Sequence, residues 1–434
     1  MCDFIVIINT MQLVNEYSNE IIDDANDFLA ANTAMFKANR EKNCNTYVPV
    51  PVALKPSPFP KSTYSDIRAY QKPVNALIET LMKDISKVHD LLEPIAKEDS
   101  FIASLIDISR KVQEQKDIKQ TGYLGIMRTD YMVNNQNVPK LVELNTIASG
   151  LCAVSDQMRP FYEYMIEKHS ESDSQLDIEN LPTDSHNTEN IIDAMKAAHD
   201  LFLKINTVTD KKPVVAFLID EGEVNISDQK LLENTLFSKY KVIARRLTFE
   251  DVSNHVEITE KGELIYKEKE VITMIYYRSG YCPTQYPTKK HWKAREMLEL
   301  STAVKAPSVD LQLLTFKKIQ EALSSTLVWD NLIGSSDLDE IKPLFEGQMW
   351  GFDHIDEEVQ KVAADAIEHP ENYVLKTQRE GGGNNYFGDD IKKILQAAEK
   401  SNQLVLSEDL LPDNDSYDTD FESLEDISDY ENVL

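Results

Sequence analysis

A continuous apolar run at residues 213–220 constrains the fold more than any other stretch of the chain. It reads Pro213-Val214-Val215-Ala216-Phe217-Leu218-Ile219-Asp220, without the alternation of a half-exposed strand. Such a run is typical of a strand buried on both faces of a parallel sheet. A helix is predicted at 228–236, and further strands at 241–247 and 271–277. The order strand, helix, strand, strand predicts an α/β lobe.

Helical periodicity dominates the chain before this lobe and returns after it. Helices are predicted at residues 11–39, 64–92, 101–112, 289–304 and 316–324. A hairpin is predicted from a strand at 122–127, a turn at 134–137 and a strand at 139–145. Another strand is predicted at 403–406. With 434 residues, the chain is expected to form two or three lobes.

Composition excludes some classes of function. The net charge of -29 argues against nucleic acid as a partner, because phosphate backbones attract basic surfaces. The apolar stretch at residues 4–8 is too short to span a membrane. Cys2, Cys44, Cys152 and Cys282 have no metal-ligand spacing. We therefore expect free thiols in a reducing, cytoplasmic compartment, and no membrane partner.

Three of the 13 glycines are adjacent, and they follow an apolar, strand-like segment that carries a lysine. The segment runs from Tyr373 through Lys376 to Gly381-Gly382-Gly383. Glycine lets the backbone approach a ligand closely, so that successive N–H groups converge on an anion. Lys376 adds a positive charge for phosphate, and Glu380 adds an oxygen ligand for Mg²⁺. A surface turn is the alternative interpretation.

A second candidate site lies in the predicted hairpin. Glu143 and Asn145 are two residues apart on one strand, so their side chains share a face. Their oxygens suit half of a magnesium site. Arg128, at the end of the partner strand, is expected to reach the same region. Simple alternation along a half-exposed strand is the other explanation of this pair.

A third candidate site lies beyond the strands of the α/β lobe, where ligands bind in open α/β sheets. Arg278 follows the strand at 271–277, in a position to clamp a substrate carboxylate. Glu223, Asn225 and Gln229 follow the first strand in the same sense, so they are expected to converge with Arg278. A surface arginine beside a turn remains the alternative.

The eight histidines have no spacing to cysteine or serine that suggests a nucleophilic triad or a zinc site. Cations and oxygen ligands together instead favour phosphoryl transfer, which needs no protein nucleophile.

With these motifs in place, residues 58–408 resemble the eukaryotic-type glutathione synthetases of the ATP-grasp superfamily. The resemblance rests on ordered motifs: Arg128-Thr129-Asp130-Tyr131-Met132, Glu143-Leu144-Asn145-Thr146-Ile147, Asn225-Ile226-Ser227-Asp228-Gln229, Arg278-Ser279-Gly280-Tyr281, Thr315-Phe316-Lys317-Lys318 and the loop from Lys376 to Asn385. It implies an α/β ATP-grasp fold with an inserted parallel-sheet substrate lobe and a helical N-terminal part. It also implies ATP- and Mg²⁺-dependent ligation of γ-glutamylcysteine to glycine through an acyl-phosphate, by a cytoplasmic homodimer.

The resemblance also assigns roles to residues. Arg128 and Lys376 take catalytic roles, and Glu143, Asn145 and Glu380 hold the metal. The peptide substrate is assigned to Arg128, Ile147, Ala148, Ser149, Gly150, Glu223, Val224, Asn225, Gln229, Arg278, Ser279, Gly280 and Tyr281. ATP is assigned to Glu143, Lys317, Lys376, Thr377, Gln378, Arg379, Glu380, Gly381, Gly382, Gly383, Asn384, Asn385, Phe387, Ser407, Glu408, Asp409 and Leu410.

The sequence departs from the family in three places. The turn Ala148-Ser149-Gly150 keeps one hydroxyl where the family is serine-rich, and Phe387 replaces a tyrosine. Beyond Leu406 the family's last strands are not recognisable, and residues 407–434 hold 11 acidic residues and no Lys or Arg. Such a tail is predicted to be disordered.

Two alternative functions therefore stay open: an impaired or truncated binding protein, and a ligase with a different amine acceptor. The predicted domains are 1–205 (helical region and part of the core), 206–315 (substrate lobe), 316–410 (core and lid) and 411–434 (acidic tail).

Overall fold

The computed structural model describes residues 18–401, with gaps. The gaps are residues 42, 116–119, 135, 170–177, 179–180, 183–184, 207–210, 334–337, 346–348, 353–356 and 380–384. The chain divides into two compact units, the first made of residues 1–75 and 107–314 and the second of residues 76–106 and 315–434. The finer division expected at residues 205, 315 and 410 stays a prediction.

The helices and strands of the described residues follow in chain order. Up to residue 205 they are α1 (Asn19–Ala31), β1 (Met35–Lys37), β2 (Tyr47–Pro49), α2 (Lys61–Lys83), α3 (Ile85–Ala96), α4 (Ser100–Glu114), β3 (Arg128–Val133), β4 (Pro139–Asn145), α5 (Cys152–Ser155), α6 (Met158–His169) and α7 (Asn187–Ile205).

Residues 212–313 hold β5 (Lys212–Leu218), α8 (Ile226–Tyr240), β6 (Ala244–Leu247), α9 (Phe249–His255), β7 (Val256–Ile258), β8 (Leu264–Tyr266), β9 (Glu270–Tyr277), α10 (Lys289–Glu299), β10 (Val304–Ala306) and α11 (Val309–Leu313). The remaining elements are α12 (Lys317–Ser324), α13 (Thr326–Leu332), α14 (Lys342–Phe345), α15 (Glu357–Glu368), β11 (Leu375–Lys376), β12 (Asn385–Tyr386) and α16 (Asp389–Ser401).

A mixed sheet forms the centre of the first unit. β5 lies between β6 and β9 and is parallel to both, and β10 is parallel to the second half of β9. The β7–β8 hairpin adds antiparallel pairing to the first half of β9. Residues 214–218 of β5 are all buried, which explains why this strand is continuously apolar. The predicted α/β lobe is confirmed.

The apolar residues of β5 and β9 pack against helices of the same unit. Phe217 and Tyr276 meet edge to face, with ring centroids 5.1 Å apart. Met195 and Phe202 of α7 and Leu232 of α8 belong to the same buried cluster. This packing fixes the sheet from which the site loops extend.

Some predicted boundaries are wrong. The strand expected at 122–127 begins only at Arg128, and within that stretch Tyr123 makes a single bridge to Lys305. Gly122 and Gly125 account for this, because glycine weakens a strand. The strand expected from Lys241 begins at Ala244, because Lys241 adopts a left-handed conformation (φ 59°) that ends α8.

Other predicted helices are shorter than expected. The helix expected over 11–39 ends at Ala31 in the described part, and residues 35–37 form β1. The helix expected over 289–304 ends at Glu299, and Val304 begins β10. The strand expected at 403–406 and the tail at 411–434 lie outside the described residues.

The cysteines and the membrane expectation also have outcomes. Cys44 and Cys282 carry free thiols, but Cys152 is disulfide-bonded, so the expectation of free thiols is wrong for Cys152. Within the stretch that the structure describes, every helix is too short or too polar to cross a bilayer.

Lys305 of β10 is a buried charge with a consequence for stability. Its side chain is 0% exposed, and Nζ donates a hydrogen bond to the carbonyl of Ser301. Burial lowers the pKa of Lys305 to about 7, although the carboxylate of Glu299 opposes this. The usual value of 10.5 holds in the unfolded chain, which therefore binds more protons than the folded chain between pH 7 and 10.5.

Stability from this group should consequently rise with pH through that window. We predict that Lys305→Met removes this rise. Urea unfolding at pH 7, 8 and 9 should show that the unfolding free energy of the variant depends less on pH than that of the wild type. Equal slopes for the two proteins would contradict this assignment.

Candidate functional site

The main candidate site lies where β5 and β9 end. Because the two strands are parallel, the loops that follow them leave the same edge of the sheet. The backbone N–H of Arg278 donates to the carbonyl of Leu218 (2.8 Å), so Arg278 starts its loop beside the end of β5. As predicted from the sequence, Arg278 converges with the segment from Glu223 to Gln229.

Arg278 is held by the turn at residues 148–150. Its Nη1 donates to the carbonyls of Ala148 (2.9 Å) and Ser149 (2.7 Å). Its Nη2 lies 3.8 Å from Oδ2 of Asp228, and the side chain is 4% exposed. Two carbonyls and a carboxylate therefore compensate the charge of a buried guanidinium, which would otherwise be costly to desolvate.

Gly150 lies where the turn packs against the Arg278 guanidinium. A Cβ at this position would lie 2.9 Å from Nη2 of Arg278 and 3.3 Å from Nδ2 of Asn225. A side chain at residue 150 would thus displace the guanidinium from the turn.

Glu223, Asn225 and Gln229 form a hydrogen-bonded group at the start of α8. One carboxylate oxygen of Glu223 accepts from the backbone N–H of Asn225 (2.8 Å), and the other accepts from Nε2 of Gln229 (3.0 Å). Oε1 of Gln229 accepts from Nη2 of Arg246 (2.7 Å). Oδ1 of Asn225 is buried and has no hydrogen-bond partner among the described residues. A ligand N–H would satisfy this acceptor.

Tyr281 completes this group. Burial, with a contribution from the charge of Glu223, raises the pKa of Tyr281. Its hydroxyl therefore stays protonated at neutral pH and is able to donate a hydrogen bond. Ser279 and Gly280 lie between Arg278 and Tyr281 in the same loop. In the segment before α8, the carbonyl of Val224 accepts a hydrogen bond from the N–H of Lys37 (2.9 Å).

Two of the three proposed metal ligands, Glu143 and Asn145, lie on the β3–β4 hairpin. The register pairs Arg128 with Asn145 and Asp130 with Glu143. Arg128 donates through Nε (2.8 Å) and Nη2 (3.0 Å) to the carboxylate of Asp130, and Nδ2 of Asn145 also reaches this carboxylate (3.2 Å). Since the amide nitrogen of Asn145 is used in this way, its oxygen is left for a cation.

The residues present fit half of a magnesium site. Mg²⁺ takes one or two carboxylates together with water and substrate phosphates. Glu143 and Asn145 supply such a pair of oxygens. In the described ranges, no group of three or more His, Cys, Asp and Glu side chains forms a complete metal site. Glu380, the third proposed ligand, lies outside the described residues.

The hairpin is joined to the Arg278 turn through Ser149. Its Oγ donates to the carbonyls of Asn145 (3.2 Å) and Ile126 (3.2 Å). Ile147 is buried in the same connection. The oxygen pair on β4 and the turn that holds Arg278 are thus consecutive, mutually bonded parts of one segment.

Apart from Glu143, the proposed nucleotide residues lie in the second unit. β11 and β12 pair antiparallel, with Lys376 opposite Asn385. Lys317 begins α12 and is buried, and Phe387 is 49% exposed. The residues Glu380, Gly381, Gly382, Gly383, Asn384, Ser407, Glu408, Asp409 and Leu410 lie outside the described part.

The segment after Lys376 is tied to two helix N-termini of its own unit. Oε1 of Gln378 accepts from the backbone N–H of Lys318 in α12 (3.1 Å). The guanidinium of Arg379 contacts the carboxylate of Asp99 (2.5 Å) and lies 5.8 Å from the ring centroid of Phe101. Thr377, Gln378 and Arg379 thus begin the glycine loop from a fixed position, and their roles toward ATP stay predictions.

Sequence reasoning missed three polar residues of the site. Asp228 is fully buried, accepts from the N–H of Ala153 (2.8 Å) through Oδ1, and faces Arg278. Asp130 connects Arg128 with Asn145, and Arg246 of β6 holds Gln229. A usable signal existed for Asp130, which faces Glu143 in any hairpin of this register. None existed for Arg246.

The comparison with solved structures supports the fold. A glutathione synthetase-like effector from Globodera pallida, solved in its apo form, superimposes with a TM-score of 0.65. The match covers 89% of this chain and 79% of the effector, at 19% sequence identity. The α/β fold of the chain is thus of the glutathione synthetase type, as the resemblance implied.

The sequence comparisons define the family. The profile of the eukaryotic glutathione synthase ATP-binding domain matches residues 15–416. The glutathione synthetase of Dictyostelium discoideum is 33% identical over 399 residues, covering 88% of this chain and 82% of the relative. That of Xenopus laevis is 33% identical over 360 residues, covering 81% and 72%. The chain belongs to the eukaryotic glutathione synthetase family, a family of ATP-dependent ligases.

The packing at Gly150 generates a prediction about stability. Gly150→Ala should destabilise the protein by about 1–3 kcal/mol, because the added methyl group displaces a buried guanidinium. Gly122→Ala is the matched control, since its Cβ would meet only a Leu201 methyl group at 3.7 Å, and should change stability by about 0.5 kcal/mol or less. Urea unfolding of both variants measures the difference. Equal stabilities would show that Arg278 does not pack on Gly150.

Proposed function

We propose that the chain ligates γ-glutamylcysteine to glycine with ATP and Mg²⁺, through an acyl-phosphate. The observation that carries this proposal is the convergence of Arg278, the 148–150 turn and the Glu223–Gln229 segment beyond two parallel strands. Family membership supports ATP as the co-substrate and small molecules as substrates. The details of the site are the proposal.

The group around Arg278 has the chemistry to bind a zwitterionic peptide. A buried guanidinium attracts a carboxylate, and the Glu223 carboxylate with Oδ1 of Asn225 suits an ammonium or amide N–H. The protonated hydroxyl of Tyr281 adds a donor. Arg278 and Glu223 place fixed charges of opposite sign on the loops after β9 and β5. These charges favour a zwitterionic peptide over a neutral molecule, because each buried group left without a partner would cost free energy.

In this proposal, two lysines and the metal half-site compensate the negative charge of the transferring phosphoryl group. Lys317 and Lys376 would contact phosphates, and Glu143, Asn145 and Glu380 would hold Mg²⁺. Arg128, bonded to Asp130, lies on the same hairpin as Glu143 and Asn145. ATP supplies the phosphoryl group that activates the peptide carboxylate toward the amine. The protein supplies orientation and charge compensation, which dominate catalysis of such transfers.

The remaining assignments belong to this proposal. The glycine loop would approach phosphates through its backbone N–H groups. ATP contacts are assigned to Thr377, Gln378, Arg379, Asn385, Phe387 and Ser407–Leu410, and further peptide contacts to Ile147, Ala148, Ser149, Gly150, Val224, Ser279 and Gly280. A cytoplasmic homodimer, built from domains bounded at residues 205, 315 and 410, is the corresponding organisation.

A second candidate function is ligation to an amine other than glycine. The observation that favours it is the turn Ala148-Ser149-Gly150, where the Arg278 guanidinium occupies the space beside residue 150. A binding protein without turnover is a third outcome that the assay resolves.

ADP release tests the function directly. Purified protein with γ-glutamylcysteine, glycine and Mg-ATP should release ADP only when both substrates are present. Each is omitted in turn as a control, and a panel of other amines replaces glycine. Nucleotide binding without substrate-dependent ADP release would refute the ligase proposal, and preference for another amine would select the second candidate.

The metal half-site generates a separate prediction. Glu143→Gln should raise the Mg²⁺ concentration for half-maximal ADP release by about tenfold or more, because one carboxylate ligand is lost. Glu257→Gln, at an exposed position of β7, is the matched control and should leave the Mg²⁺ titration unchanged. Identical titrations for the two variants would remove Glu143 from the metal site.

A further inference from the structure

The loop at residues 278–282 is held by four polar side chains that no part of the proposed chemistry uses. They are buried; Gln285 and Tyr286 closely follow the loop along the chain, whereas Arg295 belongs to α10 and Gln312 to α11. We call Gln285, Tyr286, Arg295 and Gln312 the loop clamp. Unlike apolar packing, these side chains hold the loop through directional hydrogen bonds.

Gln285 gathers the N–H groups of the loop. Its Oε1 accepts hydrogen bonds from three consecutive backbone N–H groups, those of Gly280 (2.6 Å), Tyr281 (2.9 Å) and Cys282 (3.3 Å). Its Nε2 donates to Oδ2 of Asp220, just beyond β5 (3.3 Å). One amide side chain therefore fixes the loop after β9 relative to the loop after β5.

Gln312 and Tyr286 hold the carbonyl of Gly280. Nε2 of Gln312 donates to this carbonyl (2.8 Å), and the hydroxyl of Tyr286 donates to it as well (3.1 Å). Gly280 has a φ of +103°, and a Cβ there would lie 2.7 Å from the Tyr286 hydroxyl. The clamp thus selects a left-handed backbone conformation that only glycine adopts without strain.

Arg295 fixes the two groups that hold this carbonyl. It is 0% exposed; Nη2 donates to Oε1 of Gln312 (2.7 Å), and Nη1 donates to the Tyr286 hydroxyl (3.0 Å). Its Nε donates to Glu299 (3.0 Å), whose other oxygen accepts from the N–H of Val309 (3.0 Å). Every nitrogen of this guanidinium therefore has an assigned acceptor.

The loop clamp is better explained by the geometry that it imposes on the loop than by a gain in folding stability. A buried ion pair gains little over apolar residues of similar volume, since desolvation offsets the attraction. A fully hydrogen-bonded network, in contrast, defines one arrangement of the groups that it contacts. The groups in this case are the backbone atoms directly after Arg278 and around Tyr281, two proposed contacts of the peptide.

We infer that Gln312, oriented by Arg295, is a positioning residue for the peptide substrate: it fixes the Gly280 carbonyl and thereby the directions of Arg278 and Tyr281. The identity of the ligand, a zwitterionic peptide, rests on the proposed function. The role requires an amide, because the side chain must donate to Gly280 and accept from Arg295 at the same time.

Two variants of Gln312 and one control separate positioning from stability. Gln312→Met keeps the length of the side chain and loses both hydrogen bonds. Gln312→Glu keeps the acceptor for Arg295, which protects the fold, and loses the donor to Gly280. Thr273→Val is the matched control. Thr273 is as buried as Gln312 but lies on β9, away from the loop. The substitution removes its hydrogen bonds to Val214 (3.1 Å) and His199 (2.7 Å).

The kinetic readout is the KM for each substrate. Both Gln312 variants should raise the KM for γ-glutamylcysteine about tenfold, the equivalent of one lost hydrogen bond, and leave the KM for ATP within about twofold of the wild type. Thr273→Val should change neither value, even if it unfolds at a lower temperature. A peptide KM that is unchanged in the Gln312 variants, or raised equally by Thr273→Val, would overturn the inference.

Hydrogen exchange provides a readout that does not depend on turnover. The amides of Gly280, Tyr281 and Cys282 should exchange faster in both Gln312 variants than in the wild type and in Thr273→Val. If the wild type shows no turnover or binding of γ-glutamylcysteine, the proposed function fails, and the exchange alone decides whether Gln312 positions the loop. Unchanged exchange would overturn the positioning role, whatever the activity.

Discussion

The parallel pairing of β5 with β9 is the constraint on which the site depends. It places the loops after Leu218 and Tyr277 at one edge of the sheet, and the N–H of Arg278 extends the pairing by bonding to Leu218. A different order of strands would separate Arg278 from Glu223 and Asn225. The apolar character of β5 therefore determines the position of polar residues that do not belong to it.

Charge burial gives this edge its chemical character. The protein is strongly acidic overall, yet it encloses Arg278 among two turn carbonyls and Asp228, and Arg295 among Glu299, Gln312 and Tyr286. Held guanidinium groups lose little entropy when a carboxylate arrives, because their side chains are already fixed. A site with fixed charges of both signs suits a small zwitterion better than a macromolecular partner.

Sequence reasoning predicted most of the fold where a pattern repeats locally. The buried strands and the hairpin pairing of Glu143 with its partner strand follow from apolar runs and alternation. Boundaries set by distant residues were not predictable. Helix α7 begins at Asn187 because the carboxylate of Asp156 accepts from the N–H groups of Asn187 (3.1 Å) and Thr188 (2.7 Å), 31 and 32 residues away.

The residues of the candidate site likewise include some that were predictable from the sequence and others that were not. Arg278, Glu223 and Asn225 were predictable because strand ends and the family motifs mark them. Asp228 and Gln312 were not, because each acts through a buried contact with a residue far along the chain, Ala153 and Gly280 respectively. Their positions on α8 and α11 do not indicate which way the side chains point. Glu380 and the glycine loop stay predictions, since they lie outside the described residues.

Calorimetric titration of γ-glutamylcysteine into the nucleotide-free protein tests the central claim most directly. We expect saturable binding to the wild type, and loss of most of that binding in Arg278→Met and Arg278→Lys, while binding of a fluorescent ATP analogue is retained in all three proteins. Equal peptide affinity in the wild type and in the folded Arg278 variants would contradict the claim that the edge formed by β5 and β9 is the peptide site.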